Sequence, residues 1–200
     1  MDDRHGRWND SSRRGFSFSR TTTGFTLIEL MVVIGLIGVM SAIAVMVMPT
    51  ALSAAKADGG LARVVSALRT AREQAISQRR NIRVAFIAPN EIVVSRVNVP
   101  GPGTTEINTV WLEDGVTFQV YAGVPDTPDA FGNATAASFD GAASIAFTSE
   151  GGFVDQNGDS VNGTLFLGRH NDPTSARAVT IFGPTALIRQ WRWNGRAWTN

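Results

Sequence analysis

Nineteen consecutive residues from Leu30 to Met48 carry no charge (LMVVIGLIGVMSAIAVMVM), and Phe25, Leu27 and Ile28 extend the apolar character upstream. As a helix rising ~1.5 Å per residue that run spans roughly 28 Å, close to the ~30 Å hydrocarbon thickness of a bilayer. A helix this uniformly apolar has no polar stripe for water, and only a much larger protein could bury it. Residues 25–48 are therefore expected to cross a membrane. Pro49 follows, which cannot donate its N–H and is expected to kink or interrupt the helix near the membrane exit.

Beyond Pro49 the period becomes amphipathic. Over residues 49–80, Leu52, Ala55, Leu61, Val65, Leu68, Ala71, Ala75 and Ile76 can share a face, while Lys56, Arg63, Arg69, Glu73 and Arg80 fall mostly elsewhere. Gly59-Gly60 weakens the stretch by about 1 kcal/mol per glycine relative to alanine and marks an expected bend or frayed turn. Residues 81–200 then alternate in the manner of strands. Ile82–Ile87 and Glu91–Val97 flank Ala88-Pro89-Asn90 as a hairpin, with further strands expected at Val116–Tyr121, Ser144–Thr148, Thr164–Leu167, Ala178–Phe182 and Ala186–Trp193. Gly123 to Gly141 reads as a long loop of the kind that often makes contacts. The pattern specifies an α+β class, a long N-terminal helix packed on an antiparallel sheet domain.

Charge adds direction. Residues 1–23 hold five arginines against three aspartates and show no apolar period, so they read as a polar leader. The other flank of the apolar run offers only Lys56 and Asp58 before Arg63, which by the positive-inside bias leaves the N-terminus cytoplasmic and the β domain exported. An ordinary secretory signal peptide, cut near Ala51, Ser53 and Ala54, also accounts for charge, apolar run and small residues. The run is longer than the usual ~7–15-residue hydrophobic region, however. Glu29 also lies one turn inside the apolar stretch, where it is either an interfacial residue reaching for water or a group with a task.

Gly24-Phe25-Thr26-Leu27-Ile28-Glu29, continuing into Leu30-Met31-Val32-Val33 and the long apolar run, resembles the processing site of type IV pilins and type II secretion pseudopilins. The resemblance implies a membrane peptidase that cuts after Gly24 on the cytoplasmic side and methylates the new amine of Phe25, and it makes Glu29 the residue needed for assembly. It implies a leader of residues 1–24; such leaders are commonly shorter, which leaves a translation start downstream of Met1 open. The chemistry is coherent. A free amine on Phe25 and a carboxylate on Glu29 are each costly in an apolar filament core unless they pair, and axially staggered helices let Glu29 of one subunit meet the amine of its neighbour. Gly24 has no Cβ to keep a protease from the backbone.

Later segments resemble the minor pseudopilin H and FimT-type minor pilin (GspH/FimT) family. Phe147 and Gly151 fit an F-x-x-x-G element, Asn162-Gly163-Thr164 an N-G-T strand start, and Val179–Phe182 a terminal strand ending near a glycine. The G-R pair usual there is missing or displaced, since Pro184 follows Gly183.

Other chemistry is sparse. With no cysteine there is no disulfide, thiolate nucleophile or cysteine-ligated metal. The net charge of +1 excludes a global electrostatic role. His170 is the single histidine beyond the leader's His5, and Ser53, Ser66, Ser77 and Ser149 lie outside any G-x-S-x-G, so neither zinc nor an enzyme is expected. No cofactor is expected. Asp155, Asn157 and Asp159 surround a glycine turn as calcium loops do, but lack the terminal glutamate of an EF-hand and equally form a simple solvated turn.

From residue 160 onward five arginines face one aspartate. Within that stretch Arg189, Arg192 and Arg196 alternate with Trp191, Trp193 and Trp198. In a strand Arg189, Trp191 and Trp193 share a face, with an expectation that the indoles bury against the long helix. The alternative is phosphate and base contact by Arg189, Arg192, Arg196 and Trp198, a nucleic-acid site of the sort some FimT-type pilins are linked to in DNA uptake.

The expected protein is thus a non-enzymatic minor pilin or pseudopilin, single-pass in the bacterial inner membrane with a periplasmic domain. Its expected partners are a prepilin peptidase/N-methyltransferase and other pilins or pseudopilins of a type II secretion pseudopilus or type IV pilus, with DNA as an alternative partner.

Overall fold

A computed structural model describes residues 24–200, except the side chains of Val47 and Thr50. The leader expected over residues 1–24 lies outside the described residues apart from Gly24. The chain divides into two units, Met1–Ala44 and Val45–Asn200.

Helix α1 covers Leu27–Gln78. Its segment Leu27–Met46 is long and apolar enough to cross a membrane, and none of it is buried. Helical structure continues through Pro49, so the interruption expected there does not occur. In the second unit, Ala57, Leu61, Val64, Leu68, Ala71 and Ala75 are buried at alternating steps of four and three, a continuous apolar stripe. The face expected from the sequence was partly misjudged, because Leu52, Ala55 and Ile76 lie exposed outside that stripe. The helix also runs unbroken through Gly59-Gly60, with no frayed turn there. Gly60 lets the helix approach the sheet, since a Cβ there would sit 2.8 Å from Val116 Cγ1, whereas a Cβ on Gly59 meets no described residue within 4 Å. The helix stops in a left-handed cap at Arg79 (φ 51°), with the Arg80 N–H donating to Ala75 O at 3.1 Å.

Eleven strands follow: β1 (Ile82–Ile87), β2 (Glu91–Val97), β3 (Thr104–Trp111), β4 (Val116–Phe118), β5 (Ala137–Ser138), β6 (Ile145–Phe147), β7 (Phe153–Val154), β8 (Gly163–Arg169), β9 (Arg177–Phe182), β10 (Leu187–Trp193) and β11 (Trp198–Thr199). All pairings are antiparallel, as expected, and they make two sheets. The first has the order β3-β2-β1-β6-β7 and the second β11-β10-β9-β8-β4, with β5 also on β8. The hairpin at Ala88-Pro89-Asn90 is present, closed by Ile87 opposite Glu91.

Both sheets turn alternate residues onto the α1 stripe. Ile82, Val84, Ile92, Val94 and Phe147 come from one, Leu165, Leu167, Val179 and Ile181 from the other, in a single apolar core. A smaller cluster lies on the opposite face of the second sheet, where Phe166, Ala178 and Trp198 pack with Tyr121, Trp191 and Trp193. The indoles of β10 therefore face away from α1, contrary to expectation. Trp191 pairs with Ala178 across the β9–β10 ladder and shares its outward side, while Val179, opposite Gln190, enters the core under the helix.

Candidate anchor and assembly site

The start of α1 is built by a local sequence device. Thr26 precedes the first helical residue and Glu29 sits three positions on, the arrangement of a capping box. The Glu29 N–H donates to Thr26 Oγ1 at 3.2 Å, and in return the Thr26 N–H and hydroxyl donate to Glu29 Oε2 at 2.9 and 3.1 Å. Two backbone donors that would otherwise be orphaned at a helix start are thereby satisfied. Sequence reasoning singled out Glu29 but missed this partnership, although the Thr-x-x-Glu spacing was legible. Immediately before it, Gly24 and Phe25 are exposed, Phe25 at 86%, and no described residue lies within 4 Å of where a Gly24 Cβ would be. The three residues expected to serve processing and assembly thus lie together, exposed, at the head of the apolar helix.

In the β domain, α1 is tied to the second sheet by charge. Arg177, on β9 with its side chain 5% exposed, donates through Nε to Asp58 Oδ1 at 2.7 Å, and the same oxygen accepts from Arg192 Nε at 2.9 Å. Arg177 also donates to the carbonyls of Thr174, Ala176 and Ala54. Desolvation works to raise the Asp58 carboxyl, but hydrogen bonds from Arg177 and Arg192 outweigh it and hold the group below the usual aspartate range. Nearby, the Ser53 hydroxyl donates to Asp172. Of these, sequence reasoning singled out only Arg192, and for nucleic-acid contact; the cluster itself was missed because its partners lie more than a hundred positions apart.

The residues named for nucleic-acid contact are dispersed. Arg189 pairs with Asp129 at 2.6 Å on the outer face of β10, and Arg192 projects from the inner face onto Asp58. Trp198 is buried in the small cluster with its indole N–H donated to Pro125 O. Arg196 alone of the four is exposed and makes no ion pair among the described residues. The calcium candidate forms a self-satisfied turn. Asp155 Oδ1 accepts the N–H groups of Asn157 and Asp159, and Oδ2 accepts the Asn157 amide. His170 is on the surface.

The family-like elements in the domain have packing roles. Phe147 is fully buried, and Gly151 turns with φ 85° under α1, where its carbonyl accepts Arg72 Nε at 3.1 Å. Asn162 Oδ1 accepts the Gly183 N–H at 2.9 Å, joining the N-G-T element to the glycine after β9. A Cβ on Gly163 would overlap the Phe139 ring at 1.9 Å.

Two family models match in tandem. The prokaryotic N-terminal methylation motif covers residues 19–45, and the type II transport protein GspH model covers residues 61–185. The chain belongs to the GspH family. Among solved structures, this GspH-family chain is similar to the minor pseudopilin EpsH from the type 2 secretion system of Vibrio cholerae. Identity is 14%, the TM-score is 0.47, and the match covers 68% of this chain and 97% of that one. It is similar also to the type IV minor pilin FimU of Pseudomonas aeruginosa, at 16% identity and TM-score 0.42, over 68% of this chain and 90% of that one. No curated protein sequence matches it. The methylation motif encloses Gly24, Phe25 and Glu29, and the GspH region encloses the α1 stripe from Leu61 onward, both family-like turns and the first nine strands.

Proposed function

We propose that this GspH-family chain is a non-enzymatic minor subunit of a type II secretion pseudopilus, inserted in the inner membrane through the head of α1 with the β domain on the periplasmic side. The observation that carries the reading is the exposed Gly24-Phe25 junction set one turn ahead of Glu29 on an unburied apolar helix. A prepilin peptidase cleaves after Gly24 and methylates the Phe25 amine. Cleavage removes a polar leader that would not pack in a filament core, and it creates a cation where none existed.

Glu29 then has two duties. Oε2 caps its own helix, and Oε1, which accepts no hydrogen bond among the described residues, receives the Phe25 amine of a neighbouring subunit. Pairing relieves two charges at once in an apolar setting, so subunits are held at the axial stagger that brings them together. Assignment to secretion rather than a type IV pilus rests on the GspH match. DNA capture is the less favoured reading, because the arginines named for it are divided between two faces and Trp198 is covered. Intact mass of membrane-extracted protein tests the processing step, and co-purification of Glu29 variants with other pseudopilins tests assembly.

A further inference from the structure

The second sheet ends in a half-covered strand. Trp193 N–H donates to Ala176 O at 3.1 Å, so by the alternation of an antiparallel ladder Trp191, Arg189 and Leu187 also turn their backbone groups toward β9. Ile188, Gln190 and Arg192 turn theirs the other way. β11 covers only Arg192 and Trp193, opposite Thr199 and Trp198. Among the described residues, the N–H and C=O groups of Ile188 and Gln190 are left as an open row in line with β11.

Arginines commonly blunt such an edge. Here Arg189 is drawn back onto Asp129 and Arg192 onto Asp58, which clears the edge between them. Space exists on both faces beside it. Toward α1 lie two clefts of about 360 and 310 Å³, walled by Arg69 and Glu73 with Gln190 in one and Ile188 in the other. On the outer face Leu187 and Arg189 border a cavity of about 510 Å³ with Phe131 and Phe182.

We propose that the open half of β10 accepts an extended, acid-bearing segment of a partner protein as an added antiparallel strand continuing the line of β11. Alternating backbone donors and acceptors at strand spacing are matched by another peptide backbone, which identifies the ligand as polypeptide. The charge follows from the inner clefts, where Arg69 and Arg72 stand against the single carboxylate of Glu73 and Arg69 makes no ion pair among the described residues. A residue opposite Gln190 points toward Arg69 and is acidic. One opposite Ile188 covers exposed Ile76 and is apolar, and one opposite Arg189 enters the outer cavity beside Leu187 and is apolar too. This concerns the β domain alone and stands whether or not the chain is cleaved at Gly24-Phe25.

The test uses the full chain in detergent micelles and a fluorescein-labelled peptide, acetyl-Ser-Thr-Glu-Leu-Val-Thr-Ser-amide, followed by anisotropy. Saturable binding is expected, weakened when lysine replaces the peptide's glutamate. Gln190→Pro removes an N–H that points away from β9, so it should weaken binding about tenfold or more with an unchanged melting midpoint. Arg69→Glu should reverse the preference between the two peptides. Should Gln190→Pro unfold the domain, backbone N-methylation of the peptide decides with wild-type protein. Methyls on its Glu and Val nitrogens should abolish binding, and a methyl on its Leu nitrogen should not. Absence of saturable binding, equal binding of acidic and basic peptides, or indifference to the position of N-methylation would overturn the proposal.

Discussion

Replacing Asp58 by Asn should loosen the clamp between α1 and the second sheet. Arg177 is the buried member of that cluster, and Asp58 is its only charged partner among the described residues. Breaking a fully buried pair costs about 3–5 kcal/mol. The Asp58 side chain is 39% exposed, so water partly replaces it, and three backbone carbonyls stay on Arg177. These lower the expected loss to about 2 kcal/mol, with the half-exposed Arg192 contact contributing under about 1 kcal/mol of it.

The pH dependence has a definite sign. The folded Asp58 carboxyl titrates below its unfolded value, near 3.9 for a free aspartate, so its stabilisation is complete above that pH and is lost as pH falls through the depressed folded value. Asp172 is held low in the same sense, its desolvation outweighed by hydrogen bonds from Ser53 and Thr174, and it contributes in the same window. Urea unfolding of the full chain in micelles, read by tryptophan fluorescence at pH 7 and pH 3, measures both effects. The variant should be weaker at pH 7 and lose less between the two pH values. A pH 7 difference below about 0.5 kcal/mol, or an unaltered acid drop, would refute the reasoning.

Neighbouring glycines should answer oppositely to alanine. Gly59→Ala should raise urea stability by up to about 1 kcal/mol through helix propensity, while Gly60→Ala should lower it, because forcing a methyl against the stiff Val116 costs about 1–3 kcal/mol. At the helix head, Glu29→Gln and Glu29→Ala should both be processed normally yet fail to co-purify with filament partners, whereas Thr26→Ala, which keeps the carboxylate, should co-purify measurably better than either. A DNA titration at two ionic strengths should give no saturable binding, since Arg189 and Arg192 are already engaged; a steep salt dependence would reverse that reading.

The fold's legible parts were those whose signal is local. The apolar run, the β1–β2 hairpin and the Gly24-Phe25-Glu29 turn each declare themselves within a few residues. Strand β3 was missed because Thr104–Trp111 is an edge held only by β2, so its mostly exposed residues carry no alternation of burial. The α1 stripe was blurred because Ala57 and Val64 count as core while Leu52 and Ile76 do not, a choice made by the sheets beneath. For β10, alternation correctly separated Arg189 and Trp191 from Gln190 and Arg192 but could not say which set faced the helix. That depended on the small outer cluster around Phe166 and Trp198, and on carboxylates at 58 and 129 that capture the arginines from distant parts of the chain.

The central claim is that the chain is cut between Gly24 and Phe25 and keeps its apolar helix. Intact mass spectrometry of the protein extracted from membranes, with sequencing of its first residues, tests this directly. The account predicts a chain of residues 25–200 carrying one methyl group on the Phe25 nitrogen. A mature chain beginning near Ala54, or a membrane-bound chain still bearing its leader in cells that contain the peptidase, would contradict it.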